Sequence, residues 1–405
     1  MLEILVQKEK EKTKIALVQN GNLIEYYEEE DEDNRKEGNI YLGKIKDIIG
    51  GMQSAFVDIG TDRNAFIHIE DLLPQKDIKN LPTDKARKSL SKISNIVKVG
   101  DSVLVQIKKD SNEQKGARVS THVNLPGRYV ALLPNTDIVT VSQKIEDVEE
   151  QKRLIKIAKC CLSKNNGVII RTSSKGKEKE IIEDIKILEE KWKEIENRYN
   201  NLKGKSAQLL YASETIVEKM LIDLMSKGIS RVVVNSEDEY KKIKNYVGQI
   251  LKNDDVKVEL EKDFKIFNIY DIEHQVEKMQ KRKVWLKCGG FITIDKTEAL
   301  TAIDVNTGKF TGNKDLEQTI FTVNKEATLE IAKQIRLRDI GGIIIIDYID
   351  MKNENNKKSI QNLLQEKLKE DRSKTQVEGF TRLDLMELTR KHICSHSSEI
   401  SLSSN

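Results

Sequence analysis

Asp295, Asp304 and Asp347 each close a short run of strand-forming residues: Phe291-Ile292-Thr293-Ile294, Leu300-Thr301-Ala302-Ile303, and Gly341-Gly342-Ile343-Ile344-Ile345-Ile346. A carboxylate at the end of such a run sits at the mouth of a sheet, where active sites are commonly built. In Asp304-Val305-Asn306 the two-residue period of a strand puts the acid and the amide on one side, so both can face one ligand. Two aspartates and an amide oxygen, with no histidine or thiolate beside them, are hard donors suited to Mg²⁺ rather than zinc. Such a site would polarise a phosphoryl oxygen and assist attack of water on a phosphodiester. Lys309, Arg336 and Arg338 follow as candidate phosphate ligands. Each aspartate alone could equally cap a turn or a helix, and the pattern does not choose between Asp295 and Asp304.

Two further groups could bind nucleic acid. Gly167-Val168-Ile169-Ile170 reads as a strand running into the polar turn Arg171-Thr172-Ser173-Ser174. There a planar guanidinium, a hydroxyl and turn amides could form a small anion nest. Phe56 and Phe66, with Lys44, Arg63, His68, Lys115 and Arg118 nearby, are the mixture of rings and cations on which single strands stack and track. Strand aromatics are commonly core residues, and of the two rings Phe66, after Arg63-Asn64, carries the stronger signal for pointing outward.

The elements that must position these groups form an α/β and α+β multidomain pattern. Residues 1–27 predict a β unit turned at Asn20-Gly21, a step that favours positive φ at both central positions. The acidic run to Gly38 reads as a linker. Ile40–Ile49, Ser54–Ile59, Ala65–Ile69, Ser102–Lys108 and Ala117–His122 predict a five-stranded OB barrel with a long charged insertion after the third strand. Leu125–Pro134 reads as one strand bounded by prolines, followed by a helix around 146–163. Ile181, Ile185, Leu188, Trp192, Ile195 and Tyr199 then mark an amphipathic helix. Residues 213–283 alternate helix and strand, with Ser213 the expected cap of a helix over 214–226. In the last segment, helices over 316–338 and 355–371 flank the isoleucine run, which predicts a strand buried on both faces. The first helix carries the stripe Leu316, Ile320, Val323, Ala327, Ile331 and Ile335.

Composition bounds the rest. The chain has 405 residues, with 69 Lys and Arg against 66 Asp and Glu, so its net charge of +3 says little about partners. Basic runs at 85–98, 108–128 and 278–287 make patches instead. The four cysteines (160, 161, 288, 394) form no Cys-x-x-Cys pair, so no disulfide framework or closed zinc site is expected. No apolar stretch reaches the ~18 residues of a membrane span and the N-terminus lacks a signal core, so a soluble cytoplasmic protein is expected.

TEALTAIDVNTGKFTG (297–312), RLRDIGGIIIIDYIDM (336–351), SAFVDIGTDRNAFIHIEDL (54–72) and GVIIRT (167–172) resemble the ribonuclease E/G family in order and spacing. The resemblance implies an S1-type OB barrel (39–122) inserted into an RNase H-like subdomain built from 1–38 and 216–279. A 5′-phosphate sensor would occupy 123–215, and a DNase I-like catalytic subdomain 280–395, before a disordered tail at 396–405. It implies catalytic Asp304, Asn306 and Asp347, with both aspartates holding Mg²⁺. Gly127, Arg171 and Thr172 would bind the 5′ phosphate, and Phe56, Phe66 and Lys115 the RNA. Asp295 and Asp350 match no catalytic role. The activity implied is Mg²⁺-dependent endonucleolytic hydrolysis of single-stranded RNA, leaving a 5′ phosphate and a 3′ hydroxyl. It would prefer 5′-monophosphorylated RNA and serve RNA processing, including rRNA maturation, and mRNA decay. The alternative is a catalytically weak RNA-binding or assembly factor that retains the barrel.

One departure is large. Members of the family continue into a Cys-Pro-x-Cys segment where two protomers share zinc, and then into a small oligomerising domain. Here the chain passes His392 and Cys394 and reaches Asn405 through a Ser-rich stretch containing His396. A homodimer remains compatible with the sequence, but the zinc link that would hold it is in doubt.

Overall fold

The computed structural model describes residues 1–10, 12–30, 36–73, 92–111, 115–250, 256–262, 266–308 and 316–393. Lys309, Cys394, His396 and the expected tail lie outside the described residues. Two compact units divide the chain: Asn34–Ser226, and Met1–Asp33 with Lys227–Asn405. Among the described residues no helix is long and apolar enough to cross a membrane.

In Asn34–Ser226 the five predicted strands close into a barrel. Ile40–Ile49 pairs with Ser54–Asp58 and with Ser102–Lys109, Ser54–Asp58 with Ala65–His68, and Arg118–Ser120 bridges Ala65–His68 to Ser102–Lys109. Alternation sends Ile45, Ala55, Val57, Ala65, Ile67, Val105, Ile107 and Val119 inward. A second sheet orders Val139–Val141, Asn166–Ile170, Val130–Pro134 and Leu125–Pro126. Helices Val148–Cys161 and Lys179–Leu202 pack on it through Leu154, Ala158, Ile181, Ile185, Leu188, Trp192 and Ile195.

Two expectations change here. Leu125–Pro134 is a tight hairpin rather than one strand: Leu132 pairs with Leu125, and the Gly127 amide donates to the Val130 carbonyl at 2.8 Å. Pro126 has no amide to continue a ladder and Gly127 turns without a side chain, so the run folds back. Ser213 is not a helix cap, because its hydroxyl donates to the Glu37 carbonyl at 2.9 Å. Thr215 caps Ile216–Leu224 instead, through a capping box with Glu218.

The other unit holds two sheets. Lys257–Leu260, Ile229–Val234, Leu2–Lys8, Lys12–Gln19 and Asn22–Glu30 stand in that order. The turn between the last two has φ 51° at Asn20 and 79° at Gly21, as its Asn-Gly step predicts. The second sheet orders Lys283–Trp285, Phe291–Lys296, Leu300–Asn306, Gly342–Asp347, Leu385–Arg390 and Thr375–Phe380. Leu300–Asn306 and Gly342–Asp347 run parallel, which requires a crossover, and the helix Leu316–Leu337 supplies it. Its buried stripe is Val323, Ala327, Ile331 and Ile335, packed with Ile360 and Leu364 of the helix Glu354–Leu368 under Ile292, Ile294, Ile303, Val305, Ile344 and Ile346. Leu316, expected in that stripe, is 74% exposed.

The isoleucine run is therefore not buried on both faces. Ile344 and Ile346 are fully buried, whereas Ile343 is 50% exposed and Ile345 half-buried. Helices cover one side of this sheet, and the other side is open along these strands. Four consecutive isoleucines cannot distinguish these cases, because β-branched residues suit either face.

A buried charge cluster ties this unit together. The fully buried carboxylate of Glu25 accepts from Arg336 Nε at 2.7 Å and Arg372 Nε at 2.8 Å, and the Tyr27 hydroxyl donates to it at 2.9 Å. Burial alone would raise the Glu25 carboxyl, but Arg372 and Arg336 outweigh it and hold it at about 2. This stabilisation is present above the ordinary carboxylate pKa of about 4.3 and disappears as pH falls from there through about 2. Glu25→Gln removes the buried carboxylate that Arg336 and Arg372 share and is expected to cost about 3 kcal/mol in urea unfolding at pH 7. The difference from the native chain should shrink below pH 4.

Candidate functional site

Pairing register builds the acidic site. Asp304 stands opposite Thr293 on one side and Asp347 on the other, so both aspartates project from the open face of the sheet. Both are exposed. Neighbouring strands lie about 4.8 Å apart, which puts the two carboxylates within reach of one cation. Asn306, two residues along on the same face, donates from Nδ2 to Asp304 Oδ2 at 2.6 Å. Burial, together with the negative charges of Asp304 and Asp350, pushes the Asp347 carboxyl above its ordinary value. A divalent cation would relieve that repulsion, and the all-oxygen donor set fits Mg²⁺. Among the described residues no group of three or more His, Cys, Asp or Glu side chains is arranged to hold a metal, so the donors here are two carboxylates and one amide.

The neighbouring candidates separate by what they already hold. Asp295 is bound by Arg282, whose Nη2 lies 2.7 Å from Oδ2. Arg336 is committed to Glu25, and Arg338 donates to Gln334 Oε1 at 2.7 Å and to the Lys281 carbonyl at 2.9 Å. Burial pulls the Arg338 guanidinium down to about 10. Neither arginine is placed as a phosphate ligand, contrary to expectation. Both lie at the C-terminal end of a helix whose apolar stripe turns that end inward. His392 places Nδ1 3.0 Å from the Asp339 carbonyl oxygen.

A second group gathers at the hairpin of the other unit. Arg171 donates from Nη1 to the Gly127 carbonyl at 2.7 Å and forms an ion pair with Asp223. The Thr172 and Ser142 hydroxyls share a hydrogen bond of 3.1 Å. Ser173 and Ser174 donate to the carbonyls of Arg128 and Tyr129, at 2.7 and 2.6 Å, and pin the turn to the hairpin. Asp184 accepts the amides of Tyr129 and Val130 at 2.7 and 2.9 Å, with a longer bond from Arg128. The Gly127 amide is given to Val130, so its carbonyl is what it offers Arg171.

Reading the sequence missed Asp184, Asp223 and Ser142. Asp184 left a signal, being an acid three residues after Ile181 and four before Leu188, the spacing of the apolar stripe itself. Asp223 and Ser142 left none, because only folding brings them beside residues 171–172.

On the barrel, Phe56 and Phe66 stand directly opposite one another on the outer face, half-buried, with ring centroids 6.3 Å apart in an edge-to-face pair. Both rings were expected to meet RNA, with the stronger local signal for pointing outward at Phe66. The small and branched residues flanking both rings fill the interior, so alternation forces both out. Arg118 stands beside Phe66 and binds Asp71 at 2.8 Å, while Lys115 and Arg63 are exposed.

A Cβ on Gly127 would lie 2.7 and 2.8 Å from the Asp184 carboxylate oxygens and 2.8 Å from Leu188 Cδ1. Gly127→Ala should therefore cost about 1–3 kcal/mol, read from the urea midpoint, by forcing Asp184 off the hairpin amides.

Comparison with known proteins adds a lineage to this geometry. Residues 124–393 match the model of the Ribonuclease E/G family. The chain is 37% identical to ribonuclease G of Escherichia coli (strain K12) over 391 residues, covering 96% of this chain and 79% of that protein. It is 36% identical to ribonuclease G of Haemophilus influenzae over 392 residues, with the same coverage of 96% and 79%. Ribonuclease E of a Nostoc species is 33% identical over 362 residues, 87% of this chain and 51% of that protein.

Proposed function

Since this chain belongs to the ribonuclease E/G family and is an endoribonuclease, we propose that it cleaves single-stranded RNA by Mg²⁺-dependent hydrolysis at Asp304, Asn306 and Asp347. The observation that carries this reading is the register of Asp304 with Asp347 on an open sheet face, with Asn306 bonded to Asp304. Asp304 and Asp347 would hold the ion, which when bound polarises the scissile phosphate and favours hydroxide over water as attacking group. Asn306 orients Asp304 and is placed to position the phosphate. The products are a 5′ phosphate and a 3′ hydroxyl.

In the same reading the barrel at 39–122 is an S1-type OB domain in which Phe56 and Phe66 stack bases and Lys115 meets the backbone. Residues 123–215 sense the RNA 5′ end through Arg171, Thr172 and Gly127. Arg171 is already paired with Asp223, so a 5′ phosphate must share or displace that carboxylate. This makes the sensor selective for a group of high negative charge. The RNase H-like subdomain comprises 1–38 and 216–279, and the DNase I-like catalytic subdomain 280–395. The protein acts in the cytoplasm on rRNA maturation and mRNA decay, and a homodimer is compatible with this reading.

Two measurements test this. With a short A/U-rich RNA carrying a 5′ monophosphate, Asp304→Asn should lower Mg²⁺-dependent cleavage by about 100-fold or more. Equal rates would leave only an RNA-binding protein. The native chain should cut 5′-hydroxyl RNA more slowly than 5′-monophosphate RNA, and Arg171→Ala should abolish the difference. A native chain indifferent to the 5′ end has no sensor.

A further inference from the structure

The open face that carries Asp304 and Asp347 continues, one and two strands away, into an exposed aromatic cluster. Trp285 stands opposite Phe291, and Phe291 stands opposite Asn306, so these three side chains form one row across three strands. The next row is Lys283, Thr293, Asp304 and Asp347. At the usual strand spacing Phe291 lies on the order of 5 Å from Asn306, and Trp285 on the order of 10 Å. The two rings meet edge to face, with centroids 5.4 Å apart. Lys283 places its ammonium 3.5 Å from the Phe291 centroid and 4.3 Å from that of Trp285.

Nothing in the fold requires this arrangement. Trp285 is 60% exposed, whereas the chain's other tryptophan, Trp192, is 5% exposed in a core. A large indole left in water beside a half-buried ring costs hydrophobic energy that a core position would recover. Lys283 also adds a cation, beside the Arg282–Asp295 pair, to the face that carries Asp304 and Asp347, where a polyanion must approach.

We propose that Trp285, backed by Phe291 and Lys283, seats the base of the nucleotide next to the scissile phosphate. This rests on the assignment of cleavage to Asp304, Asn306 and Asp347. The row Trp285–Phe291–Asn306 then aligns a base-stacking surface with the phosphate-positioning amide. Stacking accepts any base, because each has a π face, so the seat fixes the strand's path and the placement of the phosphate without reading sequence. Lys283 holds the Phe291 ring and offers its charge to the neighbouring phosphate.

The test compares intact 5′-monophosphorylated RNA, with one cleavage position, to the same RNA made abasic immediately 5′ or immediately 3′ of the cut. The native chain should lose about 10-fold in kcat/KM on one of the two abasic RNAs, the weight of roughly 1.4 kcal/mol for a base on a ring. Trp285→Ala should lose a similar factor on intact RNA and nothing more on the abasic one, and Trp285→Phe should recover most of the loss. In Asp304→Asn, RNA should quench tryptophan emission, and adding Trp285→Phe should remove the quench. If Trp285→Ala slows intact and abasic RNA equally, or if both abasic RNAs are cut at the native rate, the seat does not exist. The same holds if abasic RNAs behave natively while Trp285→Ala changes the sedimentation of the free chain, which would assign the rings to a protein contact. A native chain that cuts no RNA, yet whose Trp285 is quenched by it, would keep the seat and overturn the cleavage assignment instead.

Discussion

The parallel pairing of Leu300–Asn306 with Gly342–Asp347 is the constraint on which the acidic face depends. Side chains alternate along a strand, so a slip of one residue in either strand would turn Asp304 or Asp347 into the core and bring an isoleucine or valine out. What prevents the slip is the apolar half of the same alternation. Ile303 and Val305 on one strand, and Ile344 and Ile346 on the other, are buried against the crossover helix. Moving them into water would cost about 1.5–3 kcal/mol each. The carboxylates are thus held together, against their mutual repulsion, by hydrophobic burial on the opposite face.

The helix that enforces this register is itself anchored by charge. Arg336 near its C-terminal end reaches Glu25 on the strand Asn22–Glu30, and Arg372 closes the pair from another direction. The N-terminal strands and the crossover helix therefore share one buried carboxylate. A comparable knot lies nearer the C-terminal end, where fully buried Arg390 binds both Asp371 and Asp339 at 2.7 Å. Such clusters contribute specificity of docking, because a misplaced partner would strand a buried charge. The first cluster also explains why Arg336, which looks available for phosphate in the sequence, is not.

A different logic holds the hairpin of the other unit. Leu125, Tyr129 and Val130 anchor it in the core, and polar contacts define its turn: the Asp184 carboxylate, the Ser173 and Ser174 hydroxyls, and Arg171 on the Gly127 carbonyl. Burial pushes the Asp184 carboxyl above its ordinary value even though three amides face it. The Arg171 guanidinium is likewise oriented by fixed neighbours, the Gly127 carbonyl and Asp223.

Much of this was legible from residue order. Alternation and turn chemistry determine the five barrel strands, the Asn20-Gly21 turn, the long amphipathic helix and the pairing of Asp304 with Asn306 on one side, because each depends on contacts within a few residues. The resemblance of four segments to one family supplied the partnership of Asp304 with Asp347. Tertiary structure decided what depends on distant neighbours. It exposed one face of the isoleucine strand, folded Leu125–Pro134 into a hairpin, turned both Phe56 and Phe66 outward, and committed Arg336 and Arg338 elsewhere. It also laid Trp285 and Phe291 in line with Asn306, across strands whose order no local pattern specifies. Local sequence dictates which face of a strand a side chain takes, but only the assembled sheet dictates what that face looks upon.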